Sequence, residues 1–174
     1  MKLHEKTLQQ KQVFAGNMIK LRVDNVELPN GKESTREVVE HPGAVTIIGF
    51  TPENELLLVR QHRYPIAQDT LELPAGKLDP KEDPQNCAIR ELEEETGYLA
   101  QTVELLGKFY TTPGFSDELM YLYLAEGLQE SKQNCDEDEF VQVVKMSLDE
   151  AVKNVFNGTI IDGKSMVGIL WLRK

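Results

Sequence analysis

Four glutamates crowd one end of a predicted helix, in the run Arg90-Glu91-Leu92-Glu93-Glu94-Glu95. Residues four apart stack on one helical face, so Glu91 and Glu95 align; Glu94 lies beside them and Glu93 turns away. Carboxylates converging from one helix make a hard-oxygen site. Such a site suits magnesium, with manganese as the alternative, and magnesium usually shares substrate phosphates and keeps several waters. The plainer reading is a solvated acidic helix end, the usual fate of a charge run. Two effects weigh against it. Acids stabilise the first turn of a helix, and these stand in the last. Like charges at i,i+4 also repel. A bound cation explains that placement, whereas Arg90 alone does not. The preceding Pro74-Ala75-Gly76 can bring the Ala75 carbonyl to the same spot.

These residues need a helix to carry them, and the sequence marks its ends. Asp83 before Pro84 predicts an N-cap with proline at the first helical position. Gly97 stands where a left-handed closing residue is wanted. The helix is therefore expected over 84–96, with a core face of Cys87, Ala88 and Leu92 and, one turn earlier, Pro84. Around it the chain reads mostly as strands. VFAGNMIKLRVDNVEL (13–28) is β-like, and Pro29-Asn30-Gly31-Lys32 is a turn returning through TREVVE (35–40). GAVTIIGF (43–50) is a buried strand, and ELLLVRQHR (55–63) and DTLEL (69–73) follow, the last broken by Pro74-Ala75-Gly76. Strands are expected over 103–111, 118–127 and 140–147, and helices over 148–156 and 162–172. The fold class is α/β or α+β, a mixed sheet with helices packed on it.

A chain of 174 residues with 40% hydrophobic and 28% charged residues fits an ordinary soluble domain. Its net charge of −10 argues against duplex nucleic acid or an anionic membrane as partner, since both reward a surplus of lysine and arginine. No apolar run spans a bilayer, and the N-terminus lacks the apolar core of a signal peptide, so a cytoplasmic location is expected. Cys87 and Cys135 read as free thiols of a reducing compartment. Scattered His4, His41 and His62 make no zinc cluster.

The acidic stretch resembles the Nudix box: G, five residues, E, seven residues, then R-E-U-x-E-E-x-G-U with U bulky and aliphatic. Gly76, Glu82, Arg90-Glu91-Leu92, Glu94-Glu95 and Gly97 fit it at the right spacing. Tyr98 departs from the last aliphatic position but can still fill an apolar pocket. The resemblance implies a Nudix-type α/β/α sandwich with a mixed sheet. It implies Glu91 and Glu95 as chief ligands of Mg²⁺, helped by Glu94 and the Ala75 carbonyl. Glu82 and Arg90 would pair to hold the loop against the helix. Gly76 and Gly97 would serve the backbone.

Nudix enzymes hydrolyse a nucleoside diphosphate linked to another moiety, and several features resemble the ADP-ribose pyrophosphatase branch. Thr111-Thr112-Pro113-Gly114-Phe115-Ser116-Asp117-Glu118 looks like that branch's marker, with Pro113 sixteen residues after Gly97. The acidic loop Cys135-Asp136-Glu137-Asp138-Glu139 resembles the one supplying a base and a metal contact. By that pattern Glu137 is the base and Glu139 the metal contact, though the roles can be exchanged. Pro113, Gly114 and Glu118 are expected to shape the nucleoside pocket, and Arg36 and Glu37 correspond to substrate-binding positions. Arg60 and Arg63, three apart on one strand, face opposite ways, so only Arg63 is expected at the diphosphate. A guanidinium fork suits phosphate oxygens there.

The branch also implies a homodimer. Residues 1–41 would form an N-terminal β subdomain making dimer contacts, with Gly16-Asn17-Met18 reaching the partner's site, and 42–174 the Nudix domain. The alternatives are a pyrophosphatase for another nucleoside diphosphate sugar or a dinucleotide, and a silent nucleotide-sensing module. Silent modules usually lose box glutamates, and this chain keeps them all.

Overall fold

The computed structural model describes residues 3–135, 137 and 139–173. The chain divides into two compact units, Met1–Gly43 with Tyr110–Leu119, and Ala44–Phe109 with Met120–Lys174.

The first unit is an antiparallel meander of β1 (Lys6–Ala15), β2 (Lys20–Glu27) and β3 (Glu33–Glu40). It differs from the single β-like stretch expected over 13–28. The chain turns at Gly16-Asn17-Met18, where the Gly16 N–H donates to the Ile19 carbonyl at 2.9 Å, and β1 extends back to Lys6. All ten residues of β1 are exposed, so it buries no face and shows no alternation in the sequence. The Pro29-Asn30-Gly31 turn forms as its residues predict, with Gly31 at φ 81°. Phe115–Asp117 lie along β3: the Val39 N–H donates to the Phe115 carbonyl (2.8 Å) and the Asp117 N–H to the Val39 carbonyl (3.2 Å).

The second unit builds its sheets from β4 (Ala44–Gly49), β5 (Leu56–Arg63), β6 (Gln68–Glu72) and β7 (Ala75–Lys77). After the helix come β8 (Tyr98–Leu99), β9 (Thr102–Tyr110), β10 (Leu119–Glu126), β11 (Gln129–Glu130) and β12 (Gln142–Met146). One sheet has the order β7-β4-β10-β9 and another β12-β5-β6, with β8 and β11 paired apart. β4 and β10 run parallel while β4 and β7 run antiparallel, so the sheet is mixed. Ala75 and Gly76, whose residue types read as a break, are thus strand residues opposite Thr46 and Val45. The buried edge of β4 leaves backbone groups that need partners, and β7 supplies them.

Helices cover both faces. α1 (Pro84–Thr96) is capped as its sequence dictates. Asp83 accepts from the Gln85 N–H at 2.9 Å, and Gly97, at φ 72°, donates to the Glu93 carbonyl. It buries Cys87, Ala88 and Leu92 against Val45, Ile47 and Leu57, while Pro84 is only half-buried. α2 (Leu148–Phe156) and α3 (Gly163–Trp171) pack Ala151, Val155 and Ile169 with Ile48, Leu58 and Leu122. Alternate residues of β4, β5 and β10 thus feed opposite layers. Among the described residues, no helix is long and apolar enough to cross a membrane.

Gly168 allows α3 its close approach. A helical glycine replaced by alanine normally gains about 1 kcal/mol. Here the new Cβ would lie 2.5 Å from Leu73 Cδ1 and 3.2 Å from Leu122 Cδ1, and both leucines are fully buried. Overpacking of that kind costs about 1–3 kcal/mol, so the packing cost outweighs the propensity. With a net loss near ~1 kcal/mol, Gly168→Ala is expected to lower the thermal midpoint by about 2–4 °C. A raised midpoint would mean that α3 has room to lift.

Candidate active site

The C-terminal turn of α1 meets β7 at a close backbone approach. A Cβ on Gly76 would sit 1.9–2.3 Å from the carboxylate atoms of Glu91, so only glycine leaves that space to the acid. Glu91 is 8% exposed and Glu95 2%. Glu95 Oε2 accepts from the Ala75 N–H at 3.0 Å. Burial pushes Glu91 up to about 7 against the pull of the Arg90 charge. Burial pushes Glu95 up to about 8; the Ala75 N–H opposes this, and the charges of Glu91 and Glu139 add to it. Two buried carboxyls therefore share one place, and the Arg90 charge beside Glu91 does not outweigh their burial.

Arg90 serves several acids at once. Its Nε and Nη2 fork onto the Glu82 carboxylate, both at 3.0 Å, and Nη1 donates to Glu91 at 2.7 Å and Glu94 at 2.9 Å. That fork holds Glu82 down at about 2. Glu82 also accepts from the Asp79 N–H at 3.0 Å, tying the loop before α1 to the helix. Glu93 does turn away from this cluster, but it is not simply solvated. It is half-buried and accepts from Ser131 Oγ at 2.6 Å.

The segment after β11 caps α1. The Asn134 N–H donates to the Glu94 carbonyl at 3.0 Å, Gln133 Nε2 to the Glu95 carbonyl at 2.7 Å, and the Ser131 N–H to the Gly97 carbonyl at 2.7 Å. Orphan carbonyls at the helix end are thereby satisfied. The chain then enters the acidic loop, where Glu137 and Glu139 are exposed. Asp136 and Asp138, read with them as an acidic run, lie outside the described residues. Tyr98 is buried in the α1 layer, and its hydroxyl accepts from Lys145 Nζ at 2.7 Å.

Beside this end of the unit lies a group that the sequence did not announce. Arg63, expected at the diphosphate, forks onto Glu72 at 2.7 and 2.6 Å. Lys164 Nζ also reaches Glu72 and donates to Asp162 at 3.0 Å. Burial would raise Glu72, but Arg63 and Lys164 outweigh it and hold it at about 2. The strand alternation of DTLEL sets Glu72 on the face opposite Leu71 and Leu73, where a carboxylate reads as ordinary. Nothing in DGKS around Lys164 marks it either.

The remaining substrate candidates belong to the first unit. Arg36, Glu37, Pro113 and Gly114 line a cavity of about 360 Å³ with Glu5 and Asp117. The Arg36 fork is held by Glu5 at 2.9 and 2.5 Å. Glu118 lies off that lining; it accepts from Thr111 Oγ1 at 2.5 Å, and His41 Nε2 stands 3.7 Å from its other oxygen.

Among the described residues, no three acidic, cysteine or histidine side chains yet converge tightly enough to cage an ion. The donor set nevertheless fits a hard divalent cation. Glu91 and Glu95 are buried oxygen ligands with excess negative charge, cradled against Gly76, and Glu94 and Glu139 add charge beside them.

A mixed sheet between helices, with a glycine-cradled acidic helix end, defines a known class. Residues 40–166 match the NUDIX domain, and the chain belongs to the Nudix family. Residues 5–39 match the nucleoside diphosphate sugar hydrolase N-terminal domain. The chain is 46% identical to an ADP-ribose pyrophosphatase of Bacillus subtilis, over 98% of this chain and 94% of that protein. It is 47% identical to a methanol dehydrogenase activator of Bacillus methanolicus, over 97% and 92%. A solved structure, an ADP compounds hydrolase, shares the fold at a TM-score of 0.87 with 22% identity, covering 99% of this chain and 95% of that one.

Proposed function

We propose that the protein hydrolyses the pyrophosphate bond of ADP-ribose, giving AMP and ribose 5-phosphate, with Mg²⁺. The observation that carries this is the buried, under-neutralised pair Glu91 and Glu95 against Gly76, in a chain so similar to an ADP-ribose pyrophosphatase. Glu91 and Glu95 would hold the ion, with Glu94, Glu139 and the Ala75 carbonyl. When bound, Mg²⁺ neutralises diphosphate charge and makes a water more acidic. Arg63 binds nonbridging diphosphate oxygens. Glu137 takes a proton from the attacking water as its oxygen bonds to one phosphorus and the bond to the bridging oxygen breaks. Arg36, Glu37, Pro113, Gly114 and Glu118 bind the substrate. Glu82 and Arg90 act as scaffold.

The protein works in the cytoplasm as a homodimer, residues 1–41 making the dimer contacts. Support for self-association comes from β1, whose exposed residues include Leu8, Val13 and Phe14. A long, fully exposed edge strand with apolar side chains on it seeks a partner.

AMP release from ADP-ribose with Mg²⁺, ranked by kcat/KM against other nucleotides, tests the substrate. Good turnover of others with none of ADP-ribose would sink it. The second reading is another nucleoside diphosphate sugar, favoured by the wider class that residues 5–39 resemble. The cradle makes its own prediction. Gly76→Ala must push the Glu91 carboxylate aside, and misplacing a ligand costs about 10–100-fold in metal affinity. Calorimetric titration with Mn²⁺ should show that loss. Unchanged affinity would place the ion away from Glu91.

A further inference from the structure

Glu72 has two cationic partners where one would suffice, and the two are not equivalent. Its carboxylate is 1% exposed, so it cannot be left without a counter-charge. Lys164 is 10% exposed at its side chain and is pinned from both sides, by Glu72 and by Asp162. Asp162 is fixed in turn. It caps α3 by accepting from the Ser165 N–H (3.0 Å) and Ser165 Oγ (2.6 Å), and Ser165 Oγ accepts from the Leu73 N–H at 2.7 Å. Arg63 is 41% exposed at its side chain, and its fork is held by Glu72. One cation is anchored and the other faces outward. The outward one carries the planar fork that fits a diphosphate as well as it fits a carboxylate.

We propose that Lys164 is a positioning residue, which keeps the buried Glu72 neutralised while Arg63 turns its fork from Glu72 onto the substrate's diphosphate. The proposal rests on the assignment of Arg63 to the diphosphate. Without Lys164, the departure of Arg63 would strand a buried carboxylate, so Arg63 would stay. With Lys164 in place, Arg63 exchanges one oxyanion partner for another. The same network anchors Leu73, two residues before Ala75, so the C-terminal helix steadies both Arg63 and the strand that cradles Glu91.

Lys164→Met removes the charge and keeps the apolar stem. Two quantities are read: KM for ADP-ribose, and the calorimetric Kd of its methylene-bridged, non-hydrolysable analogue. Both are expected to rise about 10-fold or more, the scale of one charge-assisted contact, with kcat changed less. Lys164→Arg should return both to near wild type. Adding Glu72→Gln to Lys164→Met should also restore affinity, because no buried charge then holds Arg63 back. Glu72→Gln alone carries the test independently and should bind the analogue at least as tightly as wild type. If Lys164 only packs, Lys164→Met lowers the thermal midpoint with KM and Kd unchanged, and adding Glu72→Gln deepens the defect; either result overturns the proposal. If wild type prefers another nucleoside diphosphate sugar, the ADP-ribose reading falls, and the same comparison is made with that sugar, since the diphosphate is common to all.

Discussion

Glu95→Gln is expected to cut turnover of ADP-ribose by about three orders of magnitude or more while raising the stability of the metal-free protein. Glutamine matches glutamate in size and still offers an oxygen to the Ala75 N–H, so the 3.0 Å bond to β7 can survive. What disappears is the ability to ionise. Glu95 is 2% exposed, and burial and the nearby charges of Glu91 and Glu139 push its pKa to about 8. An amide removes the cost, at neutral pH, of keeping Glu95 protonated in the metal-free fold. With a cation Glu95 is a principal ligand, and a metal's stabilisation of a transition state amounts to several kcal/mol, at about 1.4 kcal/mol per tenfold in rate. The opposite signs are what make the variant informative. A merely misfolded protein would lose both activity and thermal midpoint. Steady-state rates at saturating Mg²⁺, together with thermal unfolding in chelator, separate the cases. Turnover within tenfold of wild type would remove Glu95 from the metal site.

The parts of this molecule that were legible in its sequence are those governed by local rules. α1 begins and ends where Asp83-Pro84 and Gly97 place it, because capping and left-handed closure depend on a few adjacent residues. The buried strands around Ile47 and Leu57 announced themselves by apolar composition. β1 did not, because it is exposed along its whole length. Ala75 and Gly76 read as a break, since their strand character comes only from the edge of β4 beside them. The site divides the same way. Glu91, Glu94 and Glu95 share one helix, so their spacing carried the message. Glu72 and Lys164 are ninety-two residues apart, and only the packing of α3 brings them together. A long-range ion pair has no sequence period. Glu93 gained its partner Ser131 for the same reason. The residues that hold Arg63 in place were therefore the ones that spacing could not reveal.

Removing the metal should make the protein's stability fall as pH rises. In the unfolded chain Glu91 and Glu95 titrate near 4.5, and in the folded metal-free chain at about 7 and about 8. Between those limits the folded state keeps protons that the unfolded state has released. Stability then drops with increasing pH, from fully favourable below about 4.5 to fully lost above about 8. Glu72 and Glu82 act in the opposite sense. Held at about 2, they contribute stability above 4.5 that is lost as pH falls towards 2. These four acids together place the optimum of the metal-free protein near pH 4.5. Mg²⁺ should reshape the alkaline limb. It needs the carboxylates ionised, so its affinity strengthens through the same window in which the metal-free fold weakens. At one hundred times its Kd a ligand adds about 2.7 kcal/mol, which offsets part of a loss of this kind. Thermal unfolding from pH 4.5 to 8.5, in chelator and in Mg²⁺, should give curves that diverge with pH, and Glu95→Gln should flatten the chelator curve. A level chelator curve across that range would mean that the two carboxyls ionise without penalty. Parallel curves would mean that the ion binds elsewhere. Only a site in which ionisation costs the fold and rewards the cation separates them, and the last turn of α1 against Gly76 is built that way.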